Sequence, residues 1–179
     1  MSWILTYTGK HFDFRDIDPD VVCIQDIAHA LGKLCRFNGH CARFHSVAEH
    51  SIAVCDLLPI EFKLEGLLHD AAEAYIGDCV QPLKMLLGDY RAIEQGVNWA
   101  IRTRFGLPSK MSPEVKHADL RVLATERMKL IPDDPTPWAI LEGIAPAESL
   151  LVGVLNPDEA AARFLGRFIH LTADGGREA

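Results

Sequence analysis

The sequence has no CxxC pair, no cluster of Lys or Arg, no internal repeat and no low-complexity tract. Each absence closes off a class of protein. The five cysteines (Cys23, Cys35, Cys41, Cys55 and Cys79) are odd in number and mostly sit in apolar segments, so they read as reduced packing residues, which fits a reducing cytoplasm. The opening MSWILTYTGK has neither a basic stretch nor an uninterrupted apolar run. The most apolar later segment, Trp138 to Leu155, is broken by Glu142, Pro146 and Glu148, so no signal peptide and no membrane span is expected. With a formal net charge of -7 and no basic patch to reverse it, long-range electrostatics repel duplex nucleic acid. A small phosphorylated ligand stays compatible, because a bound divalent cation inverts the local field.

What is present is ordinary for a folded chain. The 179 residues are 49% hydrophobic and 24% charged, enough for a real core without disulfides, and one domain over 1–173 is expected with DGGREA (174–179) as a flexible tail. WILTY, Thr8-Gly9 and HFDF predict a short hairpin. Beyond it the apolar periodicity predicts helices over 22–36, 46–58, 59–76, 82–105 (broken near Gly88), 113–131 and 157–171. Ser46 with Glu49 forms a capping-box pattern, and Ser112-Pro113 and Asn156-Pro157 pair a cap residue with Pro at the first helical position. The segment 131–146, with three prolines before Trp138, predicts a structured surface connection or a cover over a cleft.

Several polar residues fall where a helix should be apolar. His50 shares a face with Val47, Val54 and Leu57, and Asp119 shares one with Val115, Val122 and Leu123. His69 and Asp70 lie side by side among Leu67, Leu68, Ala71 and Ala72. A lone inward His is usually a hydrogen-bonded core residue, and a lone inward Asp a buried ion pair or cap. Together, two His and two Asp on core-facing positions of three helices would leave buried carboxylates short of partners, which costs several kcal/mol. A divalent cation removes that cost. Imidazoles mixed with carboxylates suit Mn, Fe, Co, Ni or Zn.

The segments AEHS (Ala48–Ser51), GLLHDAAE (Gly66–Glu73) and KHAD (Lys116–Asp119) resemble the H…HD…D signature of the HD-domain metal-dependent phosphohydrolases. The resemblance runs from Cys35 to Glu126, and within that superfamily the likeness is to bacterial 5'-deoxynucleotidases and phage-type deoxynucleotide (dATP) triphosphohydrolases. It implies an all-α HD-domain helical bundle, here with a short N-terminal β-hairpin. It also implies His50, His69, Asp70 and Asp119 as ligands of a divalent transition metal (Co, Mn, Zn, Fe or Ni), with additional Mg left open. Glu73 and Asp78 match the acidic positions after HD in that family, and Lys84 matches the Lys of its GD-x-x-x-P-x-K segment. Arg36-Phe37 stands near the place of an Arg-Trp pair that grips phosphate and sugar there, with Phe in place of Trp.

The chemistry follows from those roles. Glu73 is the expected base, with Asp78 as the competing choice or as proton donor to the leaving group. Arg36 and Lys84 would hold phosphate, and Phe37 would stack on a sugar or base. His40, His45 and His117 match no ligand position and are expected behind the ligands or on the surface. The expected activity is removal of one or more 5'-phosphates from deoxynucleotides, in the cytoplasm, on a small-molecule nucleotide, with a homo-oligomer left open. A cyclic-nucleotide or dinucleotide phosphodiesterase and a non-catalytic metal- and nucleotide-binding module are the alternatives.

Overall fold

Alternation at the N-terminus yields the expected hairpin. Trp3–Leu5 (β1) and His11–Asp13 (β2) pair antiparallel with Ile4 opposite Phe12, and Gly9 turns the connection at φ +82°, which glycine adopts without steric cost. Phe12 is buried and stacks on Tyr75 with ring centroids 4.1 Å apart, tying the hairpin to the helices. This computed structural model describes residues 1–174, so the tail expected from 174 onward lies, apart from Asp174, outside the described residues.

The rest is helical: α1 (Ile24–Lys33), α2 (Val47–Asp56), α3 (Ile60–Leu68), α4 (Glu73–Ile76), α5 (Gln81–Lys84), α6 (Tyr90–Arg104), α7 (Pro113–Leu130) and α8 (Pro157–Asp174). The fold class is therefore the one the sequence predicts, an all-α bundle with a short hairpin. One long helix divides. The helix expected over 59–76 changes hydrogen bonding after Leu68, where Ala71 N–H donates to Leu68 O (3.1 Å) and Glu73 N–H to Asp70 O (3.0 Å) in i to i+3 fashion. The chain keeps a helical course through His69, but the turn tightens where the His-Asp pair stands. The stretch 82–105 is interrupted around Gly88, as its sequence leads one to expect, and forms α5 and α6.

Two of the three expected caps form. Ser46 Oγ accepts from Glu49 N–H at 3.1 Å, and Asn156 and Glu159 bond reciprocally, Asn156 Oδ1 accepting from Glu159 N–H (2.9 Å) and Glu159 Oε2 from Asn156 N–H (3.1 Å). Ser112 does not cap α7. Its hydroxyl and amide both donate to buried Glu65 (2.6 and 2.9 Å), which also pairs with Arg102, so one α3 carboxylate fastens the end of α6 to the start of α7.

Helix α1 lies against α8 and α2, while α2, α3 and α7 touch one another pairwise. Ile27, Leu31, Val47, Leu67 and Phe164 belong to the larger core, and Val54, Val115 and Val122 to a smaller one between α2 and α7. The three helices that carry the inward His and Asp residues thus meet at one place. Among the described residues no helix is long and apolar enough to cross a membrane.

Gly32 marks the close approach of α1 and α8: a Cβ there would meet Pro157 O at 2.6 Å and the Ala161 Cβ at 2.8 Å. Gly166, on α8, has open space around it. Gly32→Ala should destabilise the protein, since overpacking typically costs about 1–3 kcal/mol and outweighs the gain of about 1 kcal/mol in helix propensity. Gly166→Ala should be neutral or stabilising. Urea unfolding of both variants checks this, and equal midpoints would contradict the packing described.

Candidate metal centre

The centre is assembled from three helices. His50 comes from the first turn of α2, His69 from the end of α3 with Asp70 following it, and Asp119 from α7. His50 Nε2 lies 3.3 Å from His69 Nε2 and 3.3 Å from Asp119 Oδ1, while Asp119 Oδ1 is 3.9 Å from His69 Nε2. One ligand atom from each of His50, His69 and Asp119 falls within 4.8 Å of the others, a grouping that can hold a metal ion. Asp70 stands beside it, its Oδ2 3.1 Å from His69 Nε2 and 3.7 Å from His50 Nε2. Both imidazoles are buried, whereas the Asp70 and Asp119 side chains keep 24% and 15% exposure, so the carboxylates mark the open side.

The rings are oriented from behind. His50 Nδ1–H donates to Glu126 Oε1 at 2.7 Å and His69 Nδ1–H to Gly66 O at 2.8 Å, which leaves the Nε2 lone pair of each directed at the centre. Two such nitrogens 3.3 Å apart, next to two carboxylates, require positive charge between them. A proton or a metal cation supplies it. Burial opposes a charged His69, but Asp70 foremost and then Asp119 raise its pKa to about 9. Burial likewise opposes charge on Asp70, yet His69 and then His50 hold its pKa down to about 2, and Asp119 is also well below the usual carboxylate range against its burial, through His50 and His69.

Glu126 is the residue that inspection of the sequence missed. It is fully buried on α7, and its carboxylate receives N–H groups from three residues: His50 Nδ1 and His45 Nε2 on Oε1 (2.7 Å each), and Arg36 Nε (3.1 Å) and Nη2 (3.0 Å) on Oε2. That fills the acceptor sites of an ionised carboxylate. Burial pushes its pKa up, but Arg36, His50 and His45 outweigh it and hold Glu126 well below the ordinary range. The signal available in the sequence was its position, seven residues after Asp119 on the same helix face as Val122. His45 is buried here, behind the centre, while His40 and His117 are exposed.

The remaining expected residues divide. Arg36 is buried with one edge of its guanidinium on Glu126, and its Nη1 faces Asp70 Oδ2 at 3.7 Å. Phe37 is half-buried at φ +56°, with Asn38 next to it at φ +52°, a left-handed conformation that costs a non-glycine residue of order 1 kcal/mol or more. Its ring sits 5.3 Å from the Arg36 guanidinium carbon and 6.4 Å from the Trp138 ring, which is how the 131–146 segment reaches this loop. Lys84 is already paired, with Nζ 2.6 Å from Glu94 Oε1. Burial and then the charges of Asp70 and Asp78 raise the Glu73 pKa well above its ordinary value, against Arg36 and Lys84, and Glu73 Oε2 is buried with no hydrogen-bond partner. Asp78, placed by the positive-φ turn at Gly77, is raised too, first by burial and opposed most by Arg36.

Removing Glu126 would leave Arg36 and two imidazoles buried without their counter-charge. Glu126→Ala is expected to cost about 3–5 kcal/mol of stability, the scale for breaking a buried ion pair from one side. Denaturant unfolding measures it, and a loss under about 1 kcal/mol would mean the network does not hold the site together.

No protein-family model matches the chain. It is 46% identical over 172 residues to the protein "Uncharacterized protein YfdR" of Escherichia coli K12, covering 96% of this chain and 97% of that one. It is also 34% identical over 127 residues to "Uncharacterized protein RCAP_rcc00048" of Rhodobacter capsulatus, covering 65% of each. The near-complete match in both directions means that the chain belongs to the family of Escherichia coli YfdR.

Proposed function

We propose that this protein is an HD-type metal-dependent phosphohydrolase that removes 5'-phosphate from deoxynucleotides. The observation that carries the reading is the convergence of the His50 and His69 Nε2 atoms with Asp119 Oδ1, backed by Glu126 and Gly66 O behind the rings. The donor set fits a divalent transition metal, with Asp70 as fourth ligand: neutral imidazoles and carboxylates, oriented by hydrogen bonds on their far sides. Such a cation would polarise a phosphoryl oxygen and make an attacking water more acidic.

The chain's own residues supply the rest. Glu73, its pKa raised by burial and by Asp70 and Asp78, suits the exchange of a proton, and its unpartnered Oε2 is free to accept one from water. Asp78, also raised, would return a proton to the leaving oxygen. Arg36 keeps its Nη1 edge for a phosphoryl oxygen because Nε and Nη2 are held by Glu126. Lys84, paired with Glu94, adds positive charge at the rim rather than a free ammonium. Phe37 offers a flat face beside Arg36 for sugar or base.

The test is incubation of purified protein with deoxynucleoside mono- and triphosphates and p-nitrophenyl phosphate, each with Mn, Co, Zn or Mg, with products separated by chromatography. Deoxynucleotides should be hydrolysed with a much higher kcat/KM than the generic ester. Glu73→Gln should keep the fold while lowering kcat by about 100-fold or more, the scale for a positioned acid or base. Equal kcat/KM on both substrate types, or near-normal turnover by Glu73→Gln, would contradict the substrate and the base respectively. Metal uptake without turnover of any phosphate would point to the binding module instead.

A further inference from the structure

The turn that carries Arg36 and Phe37 is bracketed by thiols. Cys35 Sγ and Cys41 Sγ lie 3.8 Å apart. The backbone beneath them is zipped together, Cys35 bridging Ser46, Arg36 N–H donating to His45 O at 2.9 Å and Ala42 N–H to Leu130 O at 2.7 Å. Both sulfurs are therefore held at the neck of the loop, and both residues are partly exposed. The other cysteines are placed differently. Cys55 is buried and its thiol is pushed up to about 11 by that burial, Cys23 Sγ faces Gln25 Oε1 at 2.8 Å, and Cys79 Sγ faces Val80 O at 4.0 Å.

We propose that Cys35 and Cys41 are a reversible oxidation site, joined by a peroxide into an intramolecular disulfide that clasps the Arg36–Gly39 turn. The two S–H bonds and the O–O bond of hydrogen peroxide break, one S–S bond and two further O–H bonds form, and two waters leave. The thiols lose two electrons and the peroxide gains them. A disulfide has its sulfurs about 2.05 Å apart, so the pair must close by about 1.8 Å. Closing it draws the Cys41 sulfur away from the carbonyls it now faces, Arg43 O at 3.0 Å and Arg36 O at 3.9 Å. Burial and the neighbouring Cys35 raise the Cys41 thiol above its ordinary value, which slows attack on an oxidant by that sulfur.

The clasp acts on the substrate end of the site. Between the two cysteines lie Arg36, whose Nη1 faces Asp70, and Phe37 and Asn38, whose positive φ angles leave the backbone strained and responsive to a new constraint. His50 and His69 are held by Glu126 and Gly66 O, outside the loop. Oxidation should accordingly change binding of a nucleotide and leave metal content alone, a consequence that rests on the function proposed above.

Treating the full chain with hydrogen peroxide, alkylating free thiols and mapping peptides tests the site without any assay of activity. A Cys35–Cys41 linked peptide, short of two hydrogens, should form, revert with dithiothreitol and be absent from Cys41→Ser. Hydrogen exchange of amides 36–42 should slow in the oxidised protein. Cys35 and Cys41 recovered as alkylated thiols or sulfinic acids, with no linked peptide, would overturn the proposal. In kinetics, the oxidised wild type should show a several-fold change in KM for the deoxynucleotide that dithiothreitol reverses and Cys41→Ser lacks. Unchanged KM and unchanged exchange in a fully linked sample would overturn the clasp. Absence of nucleotide turnover in the reduced protein would instead count against the function, with the peptide map still deciding the disulfide.

Discussion

One buried carboxylate organises the site. Glu126 accepts from His50, His45 and Arg36, and so joins an imidazole of the candidate metal centre to the guanidinium at its rim. A fully buried charge is tolerated only when paired and hydrogen-bonded, and here each partner also needs Glu126: His50 for its ring orientation, Arg36 for its counter-charge. The loop before α2 is fixed as a result. His45 accepts the Gly153 amide at 3.1 Å on its other nitrogen, so the connection between α7 and α8 is drawn into the same network.

Two kinds of acid share this small region because their neighbours differ. Asp70 and Asp119 face imidazoles, which hold them ionised in spite of burial. Glu73 and Asp78 are pushed upward first by burial, then by Asp70 in both cases and by Asp78 for Glu73, against the opposing charges of Arg36 and Lys84. Groups of the first kind suit holding a cation and groups of the second suit carrying a proton. The separation comes from placement alone: the tightened turn after Leu68 puts Asp70 next to His69, and Gly77 turns the chain at Asp78.

Much of this was legible in the sequence, for a physical reason. Helical offsets place His50 and Asp119 on apolar faces, and the His69-Asp70 pair stands out among Leu and Ala, so inward polarity is visible without coordinates. The helix order, the hairpin and the caps at Ser46 and Asn156 follow from the same local rules. What escaped depends on long-range pairing. Glu126 sits beside Arg127 near the end of the helix expected over 113–131, and nothing local says that Arg36, 90 residues earlier, closes on it. Ser112 looks like a cap until Glu65 takes both its donors, and Lys84 looks like a free phosphate ligand until Glu94 occupies it. Likewise the break after Leu68 lies within an unbroken apolar pattern, because periodicity does not distinguish i to i+4 from i to i+3 bonding over a single turn.

The facing lone pairs of His50 and His69 are arranged to hold a metal rather than to share a proton. Diffraction at the zinc absorption edge from a crystal of the full chain grown with Zn addresses it directly. A strong anomalous peak is expected at about 2.0–2.1 Å from both Nε2 atoms, with Asp119 and Asp70 oxygens at about 2.0–2.2 Å. No peak between the two rings, with zinc bound elsewhere or not at all, would contradict it.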